Sequence, residues 1–388
     1  MSRLPIGQRV IQPGIIDLGW GHPDPALLPV EEMRRACEGA LARYGAQALE
    51  YGSVAGPGPL LEWLMDRIGE NEGRRPYADE LLITSGISGG LDLVLGALTR
   101  PNDVVLVESP TYYLAIRILR DRELDLVAVA CDGEGMIVDE LAAQLAALKS
   151  SGVRPRALYT VPTFNNPAGS SLAEARREAL VDLAAAEGLT ILEDDVYREL
   201  AYDGPSPRSL WSLAPAGTVA RLGSFSKSLA PGLRLGWLSA DRELVRRLVQ
   251  GGLLDSSGGV NHFTALAVSA LCQAGDFDAH VARLRHSYRA RRDALVAALR
   301  RHLPETCRCD PPGGGFFVWV ELPPAIDAQL LLPHAEAAGV SFQPGHRFHS
   351  DGGGRHHLRL AFSLYPAPEL TEAARRLGEA LRAFREGV

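Results

Sequence analysis

The sequence predicts an α/β fold, in which a mostly parallel seven-stranded sheet has helices on both faces and is joined to a smaller α+β domain. Seven short apolar segments of high strand propensity lie between residues 81 and 239, and helical segments separate most of them. Strands that alternate with helices are typical of crossover connections in a parallel sheet. The segments are apolar throughout rather than at every second position, which indicates strands buried on both faces.

The elements of this sheet follow from the same pattern. The predicted strands are residues 81–84, 104–107, 124–129, 157–161, 190–193, 219–222 and 235–239. The predicted helices between them are residues 88–98, 112–120, 139–149, 172–187 and 242–248. Polar clusters follow five of the strands, at residues 85–86, 109–112, 162–169, 194–197 and 224–227. Because ligands of such sheets bind beyond the carboxyl ends of the strands, these clusters are the candidate functional residues.

The pattern differs at both ends of the chain. Residues 15–29 are rich in proline and glycine and predict an extended arm. The other predicted elements are helices at 31–43 and 59–67, a long amphipathic helix from about 276, a strand at 316–320, a helix at 328–338, an extended segment at 340–343, a strand at 357–362 and a helix at 369–384. We therefore expect a large domain at residues 46–274 and a small domain, with the N-terminal arm, at residues 1–45 and 275–388.

Composition narrows the classes of function. A net charge of −7 argues against general nucleic-acid binding. The arginine-rich face of the long helix is therefore interpreted as a solvated or subunit-facing surface. Five scattered cysteines without a CxxC spacing indicate reduced thiols in a cytoplasmic protein. Residues 1–14 lack the apolar core of a signal peptide, and no segment has membrane-spanning length, so we expect neither secretion nor membrane insertion.

One group of histidines raises the question of a metal site. His346, His349, His356 and His357 lie close together in the sequence, but Asp351 is the one carboxylate that accompanies them. Imidazoles on a loop are more often solvated than bound to a metal. We therefore expect no metal.

Lys227 is the first candidate for catalysis. The chain has 40 lysines and arginines, yet only Lys149 and Lys227 are lysines. Lys149 closes a predicted helix, where a cation suits the helix dipole. A primary amine forms a Schiff base with an aldehyde, whereas a guanidinium does not do so usefully. Lys227 is therefore interpreted as a chemically reactive lysine, the alternative being a surface lysine in a polar loop.

The residues around Lys227 indicate what it binds. The segment SGISGG at residues 85–90 joins a strand to a helix, where backbone amides and the helix dipole favour an anion. Ser224, Ser226 and Arg234 add donors that suit a phosphate monoester. Asp194 and Asp195 follow a strand, where a carboxylate suits a protonated ring nitrogen. An aldehyde, a phosphate and such a ring nitrogen together describe pyridoxal phosphate (PLP).

Six motifs carry a resemblance to a known family. They are YGSVAG at 51–56, ESPTY at 108–112, NPAG at 166–169, EDDVYR at 193–198, SFSKSLAPGLRLGW at 224–237 and LRL at 358–360. In this order they resemble the fold-type-I PLP-dependent enzymes of the class I/II aminotransferases. The chain is most similar to the branch that contains 2-aminoadipate and kynurenine aminotransferases and the aminotransferase-like part of certain bacterial regulators.

The resemblance implies roles for individual residues. Lys227 corresponds to the Schiff-base lysine and proton shuttle, and Asp194, rather than Asp195, to the carboxylate at the ring nitrogen. Tyr197 is expected to be catalytic and, with Asn166, to bind the ring oxygen. The remaining cofactor contacts implied are the stacking Tyr112, whose alternative reading is a core tyrosine, and the phosphate ligands Gly86, Ile87, Ser88, Ser224, Ser226 and Arg234.

The resemblance also implies how substrate and subunits are arranged. Arg359, aided by Asn166, corresponds to the clamp for the substrate α-carboxylate, and Trp20 and Gly21 lie where this branch folds its arm over the substrate. Tyr51 corresponds to a tyrosine that reaches the phosphate of a neighbouring subunit, so a homodimer with shared sites is expected. The sequence departs from the family at Ser88 and Gly89, where two glutamines are common, at Ala168, where threonine is common, and at Trp20, where a small residue is common.

The implied activity is transfer of an α-amino group from an L-amino acid to a 2-oxo acid such as 2-oxoglutarate or pyruvate. Two alternatives remain open: other PLP chemistry from the same carbanion (lyase, decarboxylase, cyclase or oxidase) and a non-catalytic ligand sensor. The family motifs begin near residue 18, so we expect no DNA-binding domain ahead of them.

Overall fold

A computed structural model describes residues 7, 8, 10 and 12–386; the other positions, including much of the segment assessed for a signal peptide, lie outside the described residues. The helices are α1 (Val30–Tyr44), α2 (Gly58–Glu72), α3 (Gly86–Leu98), α4 (Tyr113–Asp121), α5 (Val138–Ser150), α6 (Glu174–Glu187), α7 (Leu210–Leu213), α8 (Arg242–Val249), α9 (Gly252–Ser257), α10 (His262–Gln273), α11 (Asp276–His302), α12 (Ala328–Ala337) and α13 (Ala367–Glu386). The strands are β1 (Ile16–Asp17), β2 (Leu81–Thr84), β3 (Val104–Ser109), β4 (Asp125–Asp132), β5 (Gly135–Met136), β6 (Ala157–Thr160), β7 (Thr190–Asp194), β8 (Val219–Ser224), β9 (Gly236–Ser239), β10 (Phe317–Glu321), β11 (Val340–Ser341), β12 (Gln343–Pro344) and β13 (His357–Ala361).

The large sheet has eight strands in the order β2-β9-β8-β7-β6-β3-β4-β5. Strands β4, β3, β6, β7 and β8 run parallel, while β9 is antiparallel to both of its neighbours. The predicted α/β fold with a mostly parallel sheet is confirmed, and all seven predicted strands are present. The eighth, β5, has two residues at the sheet edge, too few for an apolar pattern to reveal.

Successive residues of the central strands pack into separate cores on the two faces of the sheet. In β6, Leu158 joins the core formed with α2, α5, α6 and α10, whereas Tyr159 joins the core formed with α3, α4 and α8. Because successive strand side chains point to opposite faces, an unbroken apolar strand fills both cores. Each fully buried leucine stabilises the fold by roughly 1.5–3 kcal/mol. Because helices cover both faces of the sheet, the ends of the strands are the part left for ligand binding.

The smaller sheet domain contains three antiparallel strands in the order β10-β13-β12. The arm strand β1 pairs in parallel with β11, with Ile16 opposite Val340. Helix α1 instead packs against α10 through Ala40 and Leu266. The boundaries at residues 45 and 274 stay predictions.

Helices α9 and α10 occupy a stretch for which the sequence pattern predicts no element. Seven of the twelve residues of α10 are buried, from Ala265 to Cys272. A helix that is apolar around most of its surface lacks the amphipathic period by which surface helices are recognised.

The arginines of α11 form ion pairs with carboxylates of other elements. Arg283 lies 2.7 Å from Glu32, and Arg289 lies 3.2 Å from Asp203. These pairs fit the interpretation of a solvated helix face. None of the described helices is both long and apolar enough to cross a membrane.

Candidate active site

Lys227 lies just beyond the carboxyl end of β8, in the loop that leads to β9. Its Nζ donates a hydrogen bond to the Gly21 carbonyl oxygen at 3.0 Å and lies 5.6 Å from the centre of the Phe316 ring. Burial first and the positive charge of Arg359 second lower the pKa of the Lys227 amine, Asp194 opposes both, and the net pKa is about 8. Roughly a tenth of this amine is therefore neutral at pH 7, far more than for an ordinary lysine, and the neutral form is the one a nucleophile or base requires.

Asp194 ends the neighbouring strand, β7, and its side chain is buried. Its Oδ2 accepts a hydrogen bond from the Tyr159 hydroxyl at 2.7 Å, whereas Oδ1 has no partner among the described residues. Burial raises the pKa of Asp194 to about 6, although the Tyr159 hydrogen bond opposes the shift. The carboxylate is thus ionised at neutral pH with one oxygen available to a ligand.

Asp195, the next residue, is equally buried but differently engaged. Arg221 donates to its Oδ2 at 2.8–2.9 Å, and Arg198 donates to the same oxygen. Burial alone would raise the pKa of Asp195, but the two guanidinium groups outweigh burial and hold it below its usual value. Asp195 is therefore part of a structural ionic cluster, which favours Asp194 as the functional carboxylate.

Arg359 lies in the centre of β13 and faces the same site from the small sheet. Its guanidinium donates to the Asn166 Oδ1 and to the Gly19 carbonyl, both at 2.7 Å, and lies 4.0 Å from the centre of the Phe317 ring. Both hydrogen-bond acceptors are neutral, and Nε has no partner among the described residues. Burial lowers the pKa of Arg359 to about 10, so the residue remains a cation without a strong counter-ion. A carboxylate ligand would supply the negative charge and the additional hydrogen-bond acceptors that the Arg359 guanidinium lacks.

The N-terminal arm contacts the site through two backbone carbonyl groups. The Gly19 carbonyl accepts from Arg359 and the Gly21 carbonyl accepts from Lys227, so two arm residues that flank Trp20 contact the two cations. A Cβ on Gly21 would lie 2.6 Å from the Phe317 ring, which explains why glycine is needed there. Trp20, between them, is half-buried, and its indole hydrogen-bonds to Asp17 rather than to the catalytic groups.

The candidate phosphate site lies at the amino end of α3. Gly86 has a φ of 71°, and a Cβ there would lie 2.8 Å from a guanidinium nitrogen of Arg234, so glycine lets the two segments approach. Arg234 is held in the left-handed region, with φ 47°. The Ser226 amide donates to the Ser224 Oγ at 3.0 Å across the same loop. Ile87 and Ser88 form the first turn of α3, whose amides and dipole favour an anion.

Tyr112 and Tyr197 are the two tyrosines that the sequence predicts to contact the cofactor ring. Tyr112 caps α4 and interacts electrostatically with Asp194, and burial raises the pKa of its hydroxyl. Tyr197 is buried, with its ring 5.5 Å from Phe316 and 5.9 Å from Phe317.

Tyr51 differs from the other predicted site residues because its side chain is exposed. Its relative exposure is 85%. It lies beside Gly258 on the surface of this chain.

Two further groups in the site escape sequence reasoning. Tyr159, which binds Asp194, lies within an apolar strand and looks like a core residue until β6 and β7 are paired. Glu108 is fully buried and accepts from the Val161 amide and the Asn165 side chain, at 2.6 and 2.8 Å, which fixes the loop before Asn166. Burial raises the pKa of Glu108 to about 7.

Comparison with known proteins identifies the family. Residues 13–377 match the family model described as aminotransferase class I and II. The chain belongs to this family. It is 34% identical to an aromatic-amino-acid aminotransferase of Thermococcus litoralis, over 95% of this chain and 88% of that protein. It is 36% identical to the 2-aminoadipate transaminase of Thermus thermophilus, over 96% and 91%. The kynurenine aminotransferase of Pyrococcus horikoshii, solved in complex with PMP, superposes with a TM-score of 0.91 at 35% identity, over 95% of this chain and 91% of that one.

The aminotransferase is therefore a PLP enzyme that exchanges amino groups between amino acids and oxo acids. Its own residues fit the cofactor. The buried amine of Lys227 suits the aldehyde, the Oδ1 of Asp194, unpartnered among the described residues, suits a protonated ring nitrogen, and the amino end of α3 beside Arg234 suits the phosphate.

Proposed function

We propose that this aminotransferase accepts L-α-amino acids whose carboxylate binds Arg359, with 2-oxoglutarate or pyruvate as the amino acceptor. The observation that carries the proposal is the buried Arg359 guanidinium, whose described acceptors are both neutral and whose Nε is unpartnered. The similar enzymes named above act on aromatic amino acids, 2-aminoadipate and kynurenine. We therefore expect a large donor side chain.

Each charged group has a proposed role. Bound PLP supplies an aldehyde for the lysine amine and a ring that accepts electrons released at the substrate α-carbon. The Lys227 amine would hold the cofactor aldehyde, and its Nζ would be the base for the substrate α-proton; a pKa of about 8 for the free amine is close to the optimum for proton transfer. Asp194 holds the proton of the ring nitrogen, and Tyr197 and Asn166 bind the ring oxygen.

The remaining predicted residues orient and enclose. Gly86, Ile87, Ser88, Ser224, Ser226 and Arg234 bind the phosphate, and Tyr112 packs on the ring. Trp20 and Gly21 belong to the arm, whose carbonyls would give up Lys227 to the cofactor and Arg359 to the substrate carboxylate.

The proposed assembly is a cytoplasmic homodimer that shares its active sites. Tyr51 supports this, because its side chain is 85% exposed in one chain although the sequence marks it as a phosphate contact. Leu49 and Leu253 are also exposed, at 72% and 70%, on segments adjoining Tyr51 and Gly258. Cys37, Cys131, Cys272, Cys307 and Cys309 are all free, which fits a reducing compartment.

A panel of L-amino acids mixed with the holoenzyme tests the activity. A true donor should convert the absorbance of the bound cofactor to that of its amine form, and the oxo-acid acceptor should restore it. The proposal fails if turnover proceeds without an oxo acid and releases ammonia or carbon dioxide, as a lyase or decarboxylase would.

Mixing two inactive variants tests the shared site. Tyr51→Ala and Lys227→Ala homodimers should exchange subunits and regain activity, because the hybrid contains one site with both residues intact. No recovery after demonstrated subunit exchange would show that Tyr51 serves its own chain.

A further inference from the structure

A cleft of about 730 Å³ opens between the end of the small sheet and the β3–β4 side of the large sheet. Its lining includes Glu321 from β10, His357 from β13 and His349. Lys227, Asp194 and Arg359 do not line this cleft, which shares Glu108 and Asn165 with the edge of the active site.

The pairing of β10 with β13 adds a carboxylate to the histidines. Glu321 lies directly opposite His357 in this antiparallel pair, and residues opposite each other project to the same face. In the sequence these two residues are far apart, which is why the histidines appear to have Asp351 as their one acidic neighbour.

Glu321, His356 and His357 bring three ligand atoms within 4.8 Å of one another, and all three residues are half-buried. The two imidazole rings lie 4.3 Å apart, and the His357 ring stacks on Trp319 with an interplanar angle of 9°. The His357 Nδ1 is buried and has no hydrogen-bond partner among the described residues, and the same holds for Nε2 of His349 across the cleft wall.

We propose that Glu321, His356 and His357 bind a divalent transition-metal ion of the zinc type. Two imidazoles and one carboxylate form a donor set that zinc adopts when one coordination position stays open. Tetrahedral ligand bonds of about 2.0–2.2 Å place the ligand atoms about 3.4 Å apart, so atoms now within 4.8 Å of one another need to close by no more than about 1.4 Å. The cleft gives the ion a route in and leaves room for water or a further ligand at the open position.

Occupancy would fasten the end of β10 to the end of β13. His357 lies two residues before Arg359 on the same strand, so the ion would restrain the strand that carries the carboxylate clamp. An ion that binds the native state also raises the temperature of unfolding.

Zinc titration of the untagged holoenzyme tests the site. We expect about one equivalent bound per chain by calorimetry and a higher Tm. Glu321→Gln preserves the shape of the side chain, and His356→Ala removes an imidazole that does not stack on Trp319; each should weaken binding by about tenfold or more and abolish the Tm shift. His286→Ala, which removes an exposed histidine of α11, is the matched control and should bind as the unmodified protein does.

Three results would overturn the proposal. One is the absence of binding at millimolar zinc. Another is binding that survives both Glu321→Gln and His356→Ala, which would place the ion elsewhere, for example at the cofactor. The third is loss of binding in the His286→Ala control. Because the readouts are metal binding and unfolding, none of these results depends on the proposed amino-acid substrate.

Discussion

Two sets of buried charges meet at the end of β7, and they differ in how they are compensated. Asp195 lies in an ionic cluster with Glu72, Arg198 and Arg221, in which every member has an oppositely charged neighbour. Asp194, one residue earlier, has a neutral tyrosine as its hydrogen-bond partner. Each aspartate leaves one oxygen without a hydrogen bond, so the difference lies in the charge that each carboxylate faces.

The second set consists of Asp194, Lys227 and Arg359, whose hydrogen-bond partners are neutral groups. Lys227 donates to a backbone carbonyl, and Arg359 donates to an amide side chain and another carbonyl. Burying an unpaired charge is unfavourable, and burial accordingly raises the pKa of Asp194 and lowers the pKa values of Lys227 and Arg359. The charges of the ionic cluster compensate one another within the folded chain. Lys227, Asp194 and Arg359 lack such compensation, which the cofactor and the substrate would supply.

The largest effect is expected from Lys227→Arg. The change keeps the positive charge but removes the amine, so turnover should fall by at least about 10⁴-fold. Borohydride reduction of the unmodified holoenzyme should fix the cofactor on the peptide that contains Lys227. Lys149→Arg is the matched control and should retain full activity; label on Lys149 would contradict the assignment.

A paired substitution separates the two aspartates. Asp194→Ala should reduce kcat by roughly 10²–10³-fold, because the ring-nitrogen partner is gone, while the unfolding free energy of the apoenzyme changes little. Asp195→Ala should cost about 3–5 kcal/mol of unfolding free energy, because Arg221 and Arg198 lose a buried partner. Activity assays and chemical denaturation of both variants should show that Asp194→Ala loses mainly activity and Asp195→Ala loses mainly stability. Equal loss of stability in both variants would contradict the distinction between the two aspartates.

Arg359→Lys should weaken substrate binding while PLP stays bound. A point charge does not reproduce the planar fork of a guanidinium, so KM for α-amino acids should rise by an amount equivalent to roughly 2–5 kcal/mol. Amines without a carboxylate should react as before. Arg355→Lys, at an exposed neighbouring arginine, serves as the control. If Arg359→Lys still distinguishes amino acids from simple amines as well as the unmodified enzyme does, the clamp lies elsewhere.

The smallest effect concerns the pH dependence of cofactor capture by the apoenzyme. Burial disfavours the ammonium form of Lys227, so its pKa lies near 8 instead of 10.5, and the reactive neutral amine accumulates as pH rises towards 8. The rate of PLP capture should rise about tenfold from pH 6 to 7 and level off above about pH 8.

Removing a negative or a positive neighbour of Lys227 should move the pH midpoint of PLP capture in opposite directions. Asp194→Asn removes a negative charge that favours the ammonium form and should lower the midpoint, whereas Arg359→Gln removes a positive charge and should raise it. Stopped-flow absorbance across the pH range measures both, and shifts in the same direction would contradict the electrostatic account.

Much of the fold was predictable because its signals are local. Unbroken apolar strands, helical periods and turn residues lie within short stretches, and they located all seven main strands of the sheet. The scarcity of lysine singled out Lys227, and its flanking serines and Arg234 indicated the phosphate. Helix α10 escaped prediction because it is buried on most of its surface and shows no amphipathic period.

The tertiary structure decided which charges meet. Asp194 and Asp195 are alike in the sequence, and the tertiary placement of Arg221 on β8, together with Arg198, pairs Asp195 and leaves Asp194 without a cationic hydrogen-bond partner. Likewise, the contact of Gly21 with Lys227 and the placement of Glu321 opposite His357 join residues that are remote along the chain. A sequence specifies side chains and local periods directly, whereas the compensation of a buried charge depends on non-local packing, which exists only after the chain has folded.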